Sequence, residues 1–271
     1  MSQIVLNVNR PLNGQYGTKT EGIIALKKMG ILVPDFWCID KGEFDKFVST
    51  IHIPSFYDFL MSEFDASIEE KIMNYAKGIN LSMDFDDGCY IVRSSSVPHG
   101  TCLNYASIIS GAFESYECGK EDIGVSVAKV YASLYSKKAY MQLKSSGANI
   151  VEGMSVLIQK YVAPLCSGVI HYYVEKDTMD VDWVFGHLRE IVSGNNEGIH
   201  FKLFKDGHDI IIRGHEKDIY EVDERQLGCV FISLYDNTIK AGKTNGTNLE
   251  IEWLYDGQQL FFVQSQELID I

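Results

Sequence analysis

The sequence predicts an α+β protein whose sheets are mostly antiparallel. The order of elements is the first reason: helices, strands, a helix, many strands, a helix and a closing strand pair. The second is turn chemistry. "KDG" at Lys205–Gly207 and "DG" at Asp256–Gly257 each sit between apolar runs and mark hairpins. The third is composition. The chain has 271 residues, 46% hydrophobic and 23% charged, enough to bury one large or two medium cores. The expected division is an N-terminal α+β lobe over 1–150 and a strand-rich lobe over 151–271.

The elements follow in order. "TKTEGIIALKKMGILVPDFWCI" has helical apolar spacing, a stop at Gly30 and a strand entered after Pro34. "GEFDKFVSTI", "SFYDFLMSEF" and "SIEEKIMNYAKGI" fill 41–80 with helices, and Ser67 before two acids marks a helix start. "CYIVRSSS" is a short buried strand that ends on Arg93 and three serines. Residues 121–146 carry one long amphipathic helical pattern. "MSVLIQKYV" and "CSGVIHYYVEK" are strands, and "GIHFKLFKDGHDIIIRG" is a hairpin. "DERQLGCVFISLYDNTIKAG" is a helix with Asp223 as its cap. "NLEIEWLYDGQQLFFVQSQEL" closes the chain as a hairpin. Simple alternation puts Glu250, Glu252 and Leu254 on one face of its first strand, and Phe262, Gln264 and Gln266 on one face of its second.

Charge and cysteine usage exclude some classes. A formal net charge of −13 argues against a general nucleic-acid binder, which needs a basic footprint. No apolar run reaches 18 residues, and the N-terminus has no apolar signal core. The six cysteines, Cys38, Cys89, Cys102, Cys118, Cys166 and Cys229, form no C-x-x-C. Reduced thiols and a cytoplasmic setting are therefore expected. The seven histidines show no metal-protease spacing, and His171, His187 and Cys166 are read as structural.

Several short stretches carry candidate chemistry. "YGTKTEG" places glycines around Lys19 just before a helix, a setting for phosphate at a helix N-terminus or an ordinary helix start with an exposed lysine. Arg93 at a strand end beside serines either grips phosphate or closes a structural ion pair. "SGAFES", with Gly111, Ala112, Phe113, Glu114 and Ser115, is a loop able to cover phosphates with backbone amides, or a plain surface loop. Gln159 ends an apolar strand, where backbone groups meet an adenine edge or the strand simply leaves the core. Glu252 and Gln264 face each other across the last hairpin if its turn is tight. Such a pair of oxygen donors suits Mg²⁺, or else it is a solvated hairpin face.

Taken in chain order, these pieces resemble a known series. "YGTKTEGIIALKKMGILVPDFW", "IVRSSS", "ISGAFES", "VYASLYSKKA", "SVLIQKYVAPLCSGV", "FGHLREIVSG" and "LEIEWLYDGQQLFFVQSQE" are similar to the N-terminal nucleotide-binding domain of phosphoenolpyruvate synthase, pyruvate phosphate dikinase and rifampin phosphotransferase. The resemblance covers nearly the whole chain. It implies an ATP-grasp fold of two lobes with ATP between them, and ATP and Mg²⁺ as cofactors. It implies that Lys19 and Arg93 contact phosphates, that Gly111 to Ser115 cover the triphosphate, and that Gln159 lies beside the adenine. It assigns Glu252 and Gln264 to the metal and phosphates.

The departures from the family pattern are specific. The arginine of "QARP" is Gln266 here, and the acid of "GLGE" is Arg189, a cation able to supply charge from another direction. "VPHG" replaces the acidic pair after "RSSA", and Phe36 replaces the glycine of "VPPGF". No histidine sits in a stretch like the family's phosphohistidine motif. The expected activity is an ATP-dependent, kinase-like phosphotransferase module that uses a separate His-bearing partner or a small-molecule acceptor. A degenerate ATP-binding regulator and a standalone ATP-grasp ligase are the alternatives.

Overall fold

The computed structural model describes residues 3–11, 15–99, 109, 111–145, 150–187, 198–206, 209–214 and 224–268. The expected Asp223 cap, Cys102 and Ser110 lie outside them. The architecture is α+β, and nearly all its strand pairs are antiparallel. Two compact units divide the chain: Met1–Glu21 with Asp35–Tyr161, and Gly22–Pro34 with Val162–Ile271.

In the first unit a four-stranded sheet runs in the order β2 (Phe36–Ile39), β6 (Val151–Lys160), β4 (Cys89–Pro98), β5 (Ser115–Gly119). A parallel pair, β1 (Ile4–Leu6) and β3 (Ile79–Leu81), stands apart from it. Helices α2 (Lys41–Thr50), α3 (Phe56–Met61), α4 (Ser67–Tyr75), α5 (Ile123–Leu134) and α6 (Lys137–Ser145) complete the unit. Alternation along the strands explains the core. Tyr90 and Val92 on β4, Met154, Val156 and Ile158 on β6, and Trp37 and Ile39 on β2 share one face and join the main cluster. Tyr131 of α5 meets Phe44 and Phe47 edge-on or tilted, and Tyr135 meets Phe56 and Phe59 likewise.

One local expectation needs correction here. The long helix over 121–146 is two helices. The amides of Tyr135 and Ser136 bond three residues back, to Ala132 and Ser133, and Ser136 Oγ accepts from Ala139 N at 3.2 Å. Ser136 therefore caps the second helix, which the continuous apolar pattern conceals. Helix α4 starts at Ser67 with Glu69 and Glu70 in its first turn, as expected, and Asp65 Oδ1 accepts from Ser67 N at 2.9 Å just ahead of it.

In the second unit a six-stranded sheet runs β10 (Asp209–Gly214), β9 (Ile199–Asp206), β8 (Thr178–Phe185), β7 (Cys166–Tyr173), β11 (Leu249–Tyr255), β12 (Leu260–Glu267). The expected β9–β10 hairpin is present, with Asp209 paired to Asp206. One face carries Ile170, Tyr172, Val181, Trp183, Phe201, Leu203, Ile251 and Trp253, all buried. Helix α7 (Glu224–Asn245) presents Val230, Phe231, Leu234, Tyr235, Thr238 and Ala241 at helical spacing, all buried. Phe231 meets Trp183 and Phe201 edge-on. Gly242 allows the closest approach, since a Cβ there would lie 1.9 Å from Tyr172 Cε1.

Candidate functional site

Helix α1 (Thr18–Lys28) begins one residue before Lys19. Its start is bolted down by serines. Gly17 N donates to Ser155 Oγ at 3.0 Å, Thr20 N donates to Ser95 Oγ at 3.1 Å, and Ser155 Oγ donates to Ser95 O at 2.9 Å. Glycine is required at 17, because a Cβ would lie 2.2 Å from Ser95 O. Ser95 thus has a structural reason: its hydroxyl takes one amide of the helix start, and its carbonyl accepts from Ser155, whose hydroxyl takes the other.

Arg93 belongs to the same strand face as Ser95, opposite the core face. Its cross-strand partners are Leu157 on β6 and Ser115 on β5. Gln159 lies one pair further along that face, between Ile91 and Phe36, and is only 2% exposed. The first unit therefore gathers Arg93, Ser115 and Gln159 on one sheet face, with the helix start that carries Lys19 docked on it. Gly111 adopts φ 67°. Ala112 is buried, Glu114 N donates to Ser133 Oγ at 3.3 Å, and Glu114 pairs with Lys138 at 3.4 Å. The loop is thus tied to α5 and α6.

In the second unit the turn of the last hairpin is held by Asp256, whose Oδ1 accepts from Gln258 N and Gln259 N, both at 2.7 Å, while Gly257 takes φ 98°. The register sets Glu252 opposite Gln264, but not through the turn: Tyr255 pairs with Leu260 across a four-residue loop, a register that by itself would bring Val263 to Glu252. A bulge follows: Glu252 pairs with Gln264 but Trp253 pairs with Phe262, so Val263 is the extra residue. This corrects the shared face expected for Phe262 and Gln264. The bulge lets Phe262 turn into the core, fully buried, while Gln264 and Gln266 stay with the glutamates.

That second face carries two cross-strand rungs. One reads Gln264, Glu252, Val169, Asp182, His200; the other reads Gln266, Glu250, His171, Asp180, Lys202. Gln266 Nε2 donates to Glu250 Oε1 at 2.6 Å, and His171 Nε2 lies 3.3 Å from Glu250 Oε2. Lys202 pairs with Asp180 at 2.9 Å and His200 Nδ1 with Asp182 at 2.8 Å. The hydrogen bond to Glu250 raises the His171 pKa above its ordinary value against the opposing effect of burial, and the charges of Glu250, Asp182 and Asp180 add to the rise. Of the second rung, sequence singled out Gln266 and placed Glu250 on the face of Glu252, but it read His171 as structural and did not mark Asp180 or Lys202; period-2 alternation across β7–β9 was the available signal. Arg189 lies outside the described residues.

Among the described residues no three or more His, Cys, Asp or Glu side chains group to hold a metal. Glu252 and the Gln264 amide oxygen are two oxygen donors of the kind that, with phosphates and water, could hold a hard cation.

The chain matches the family model described as "Pyruvate phosphate dikinase, AMP/ATP-binding domain" over residues 56–268. The chain belongs to this family. This dikinase-type nucleotide-binding domain carries the ATP-grasp fold that the motif series implied. Arg93, Gln159, Glu252 and Gln264 fall inside the matched span, and Lys19 precedes it. Among solved structures, it is similar to D-alanine–D-alanine ligase from Helicobacter pylori, at 9% identity and TM-score 0.40, over 93% of this chain and 51% of that one. It is also similar to a dinucleotide-forming acetyl-coenzyme A synthetase from Ca. Korarchaeum cryptofilum, at 14% identity and TM-score 0.39, over 94% of both chains. The domain spans about half the length of the first of these. Overlays this distant add nothing to the family assignment. No curated protein matches the chain. Among the described residues, no helix is long and apolar enough to cross a membrane.

Proposed function

We propose that this domain is a Mg-ATP-binding, kinase-like phosphotransferase module that passes a phosphoryl group to a separate His-bearing partner or to a small-molecule acceptor. The observation that carries the reading is the in-register pair of Glu252 and Gln264 beside a β-bulge. Phosphoryl transfer asks a protein for positioning and charge neutralisation more than for covalent chemistry. In this reading Lys19 and Arg93 hold phosphate oxygens, with the backbone of Gly111, Ala112, Phe113, Glu114 and Ser115 covering them. Gln159 meets the adenine edge. Glu252 and Gln264 hold the cation, which neutralises phosphate charge when bound. Gln266 acts through Glu250, and Arg189 supplies a further cation. A cytoplasmic setting suits the free thiols of Cys38, Cys89, Cys118, Cys166 and Cys229.

A second reading, a nucleotide-responsive regulator without turnover, is favoured by one observation. Gln266 stands where the resembled family has arginine, and its amide is bonded to Glu250. Phosphorus NMR of Mg-ATP with the protein, with and without cell extract as a source of acceptors, separates the two. Acceptor-dependent conversion to ADP or AMP supports transfer. An unchanged nucleotide spectrum with tight binding supports the regulator.

A further inference from the structure

The sequence holds two Asn–Gly pairs, Asn13–Gly14 and Asn245–Gly246. Asparagine is a labile side chain. It is most labile before glycine, where no Cβ hinders the next backbone nitrogen from reaching the side-chain carbon. The second pair lies within the described residues. Asn245 is the last residue of α7, and Gly246 follows it in the left-handed region at φ 71°. Both are exposed, and a Cβ built on Gly246 would meet nothing within 4 Å, so solvent and the Asn245 side chain have room there. One bond of the last helical turn restrains the pair: Gly246 N donates to Gly242 O at 2.7 Å. The nitrogen must give up the proton that this bond engages before it can attack. Helix ends fray, so the bond opens at little cost.

We propose that Asn245 is a site of spontaneous deamidation, gated by fraying of the last turn of α7. Once the turn opens, Gly246 N loses its proton to solvent hydroxide and attacks Asn245 Cγ. The bond from Cγ to the side-chain nitrogen breaks, and that nitrogen takes a proton from water and leaves as ammonia. The resulting succinimide ring adds one water. Opening at the backbone carbonyl leaves an isoaspartyl link, and opening at Cγ leaves aspartate. Either product puts a new carboxylate at the negative end of the α7 dipole. The isoaspartyl link also adds one carbon to the backbone three residues before Asn248. The Asn248 amide oxygen accepts from Val174 N at 2.9 Å, and its carbonyl accepts from Leu268 N at 2.8 Å. The lesion therefore falls where the chain leaves α7 and is tied down to start β11.

The test incubates the native chain at mildly alkaline pH, beside a sample held in guanidinium. Peptide mass spectrometry reads the gain of one mass unit at Asn245, and hydrogen exchange reads the Gly246 amide under the same native conditions. In guanidinium, Asn245 and Asn13 are expected to convert at similar rates, since only the local sequence then matters. In the native chain Asn245 is expected to convert more slowly, by up to about a hundredfold and by the same factor that slows exchange of the Gly246 amide. Asn245→Gln removes the signal at that peptide. Asn245→Asp, which reproduces the new charge alone, is expected to lower the melting temperature by about 1–3 °C. The isoaspartyl form, purified from aged protein, melts lower still. No conversion at Asn245 in the native chain while the denatured chain converts fully would overturn the proposal. So would a native rate slowed as far as exchange of the most protected core amides, which would assign the reaction to global unfolding. A native rate equal to the denatured one would remove the gate.

Discussion

Ser155→Ala removes one hydroxyl that serves two buried groups. In the native chain that hydroxyl accepts from Gly17 N at 3.0 Å and donates to Ser95 O at 2.9 Å, and Ser155 is fully buried. Alanine fits the space but satisfies neither group. Leaving a buried backbone donor unpaired costs about 1–3 kcal/mol, and the weakened carbonyl adds roughly 1 kcal/mol, so the expected loss is about 2–4 kcal/mol. For a chain of this size that corresponds to roughly 5–12 °C in melting temperature. Urea unfolding followed by circular dichroism measures it, with an unchanged m-value to show that the mechanism is local. The same variant loosens the start of α1, so Mg-ATP affinity is expected to fall several-fold, because Lys19 stands two residues after Gly17. A stability loss below about 0.5 kcal/mol, the range of an ordinary surface change, would refute the bridging role of Ser155.

Gly242→Ala sets propensity against packing. Alanine is favoured in a helix by about 1 kcal/mol, but its Cβ would lie 1.9 Å from the buried ring of Tyr172, whose hydroxyl is held by Asp177 at 2.8 Å. Net destabilisation of about 1–3 kcal/mol is expected from overpacking, and a more stable variant would contradict the α7–β7 contact. The His171–Glu250 pair makes stability fall with rising pH. A raised folded pKa means that its contribution is complete below the unfolded value of about 6.5 and is lost as pH climbs through the folded one. Both side chains are about a third exposed, so the effect is a few tenths to about 1 kcal/mol. His171→Phe should flatten that slope, and an unchanged slope would assign it elsewhere. Burial pushes the Cys38 and Cys166 thiols up to about 12, whereas Cys89 and Cys229 are exposed. Mass spectrometry after brief alkylation at pH 8 should find label on Cys89 and Cys229, and none on Cys38 or Cys166 until the chain unfolds.

Much of the fold was legible because its signals are local. Asp256–Gly257 marked the last hairpin, but the pairing of Glu252 with Gln264 depends on the bulge as well as on the turn. Lys19 beside a helix start was legible because glycine before a helix is a short-range pattern, whereas Arg93, expected at a strand end, lies in the middle of β4, where the serines continue the strand. What sequence hid depends on register between distant strands. Glu250 meets His171 only because β7 pairs with β11, a neighbour relation with no trace in either segment. The bulge at Val263 was equally hidden, since Phe262 and Gln264 have the same parity and only the three-dimensional register separates them. Ser136 was missed for another reason: α5 and α6 have continuous apolar spacing, and one capping hydroxyl outweighs it.

The most direct test of the central claim is calorimetric titration of Mg-ATP into the native chain and into Glu252→Gln. The side chain is only half-buried and the change nearly isosteric, so melting temperature should hold within about 2 °C. The account expects micromolar binding by the native chain and a loss of tenfold or more in the variant. Equal affinities, or no binding by the native chain, would contradict it.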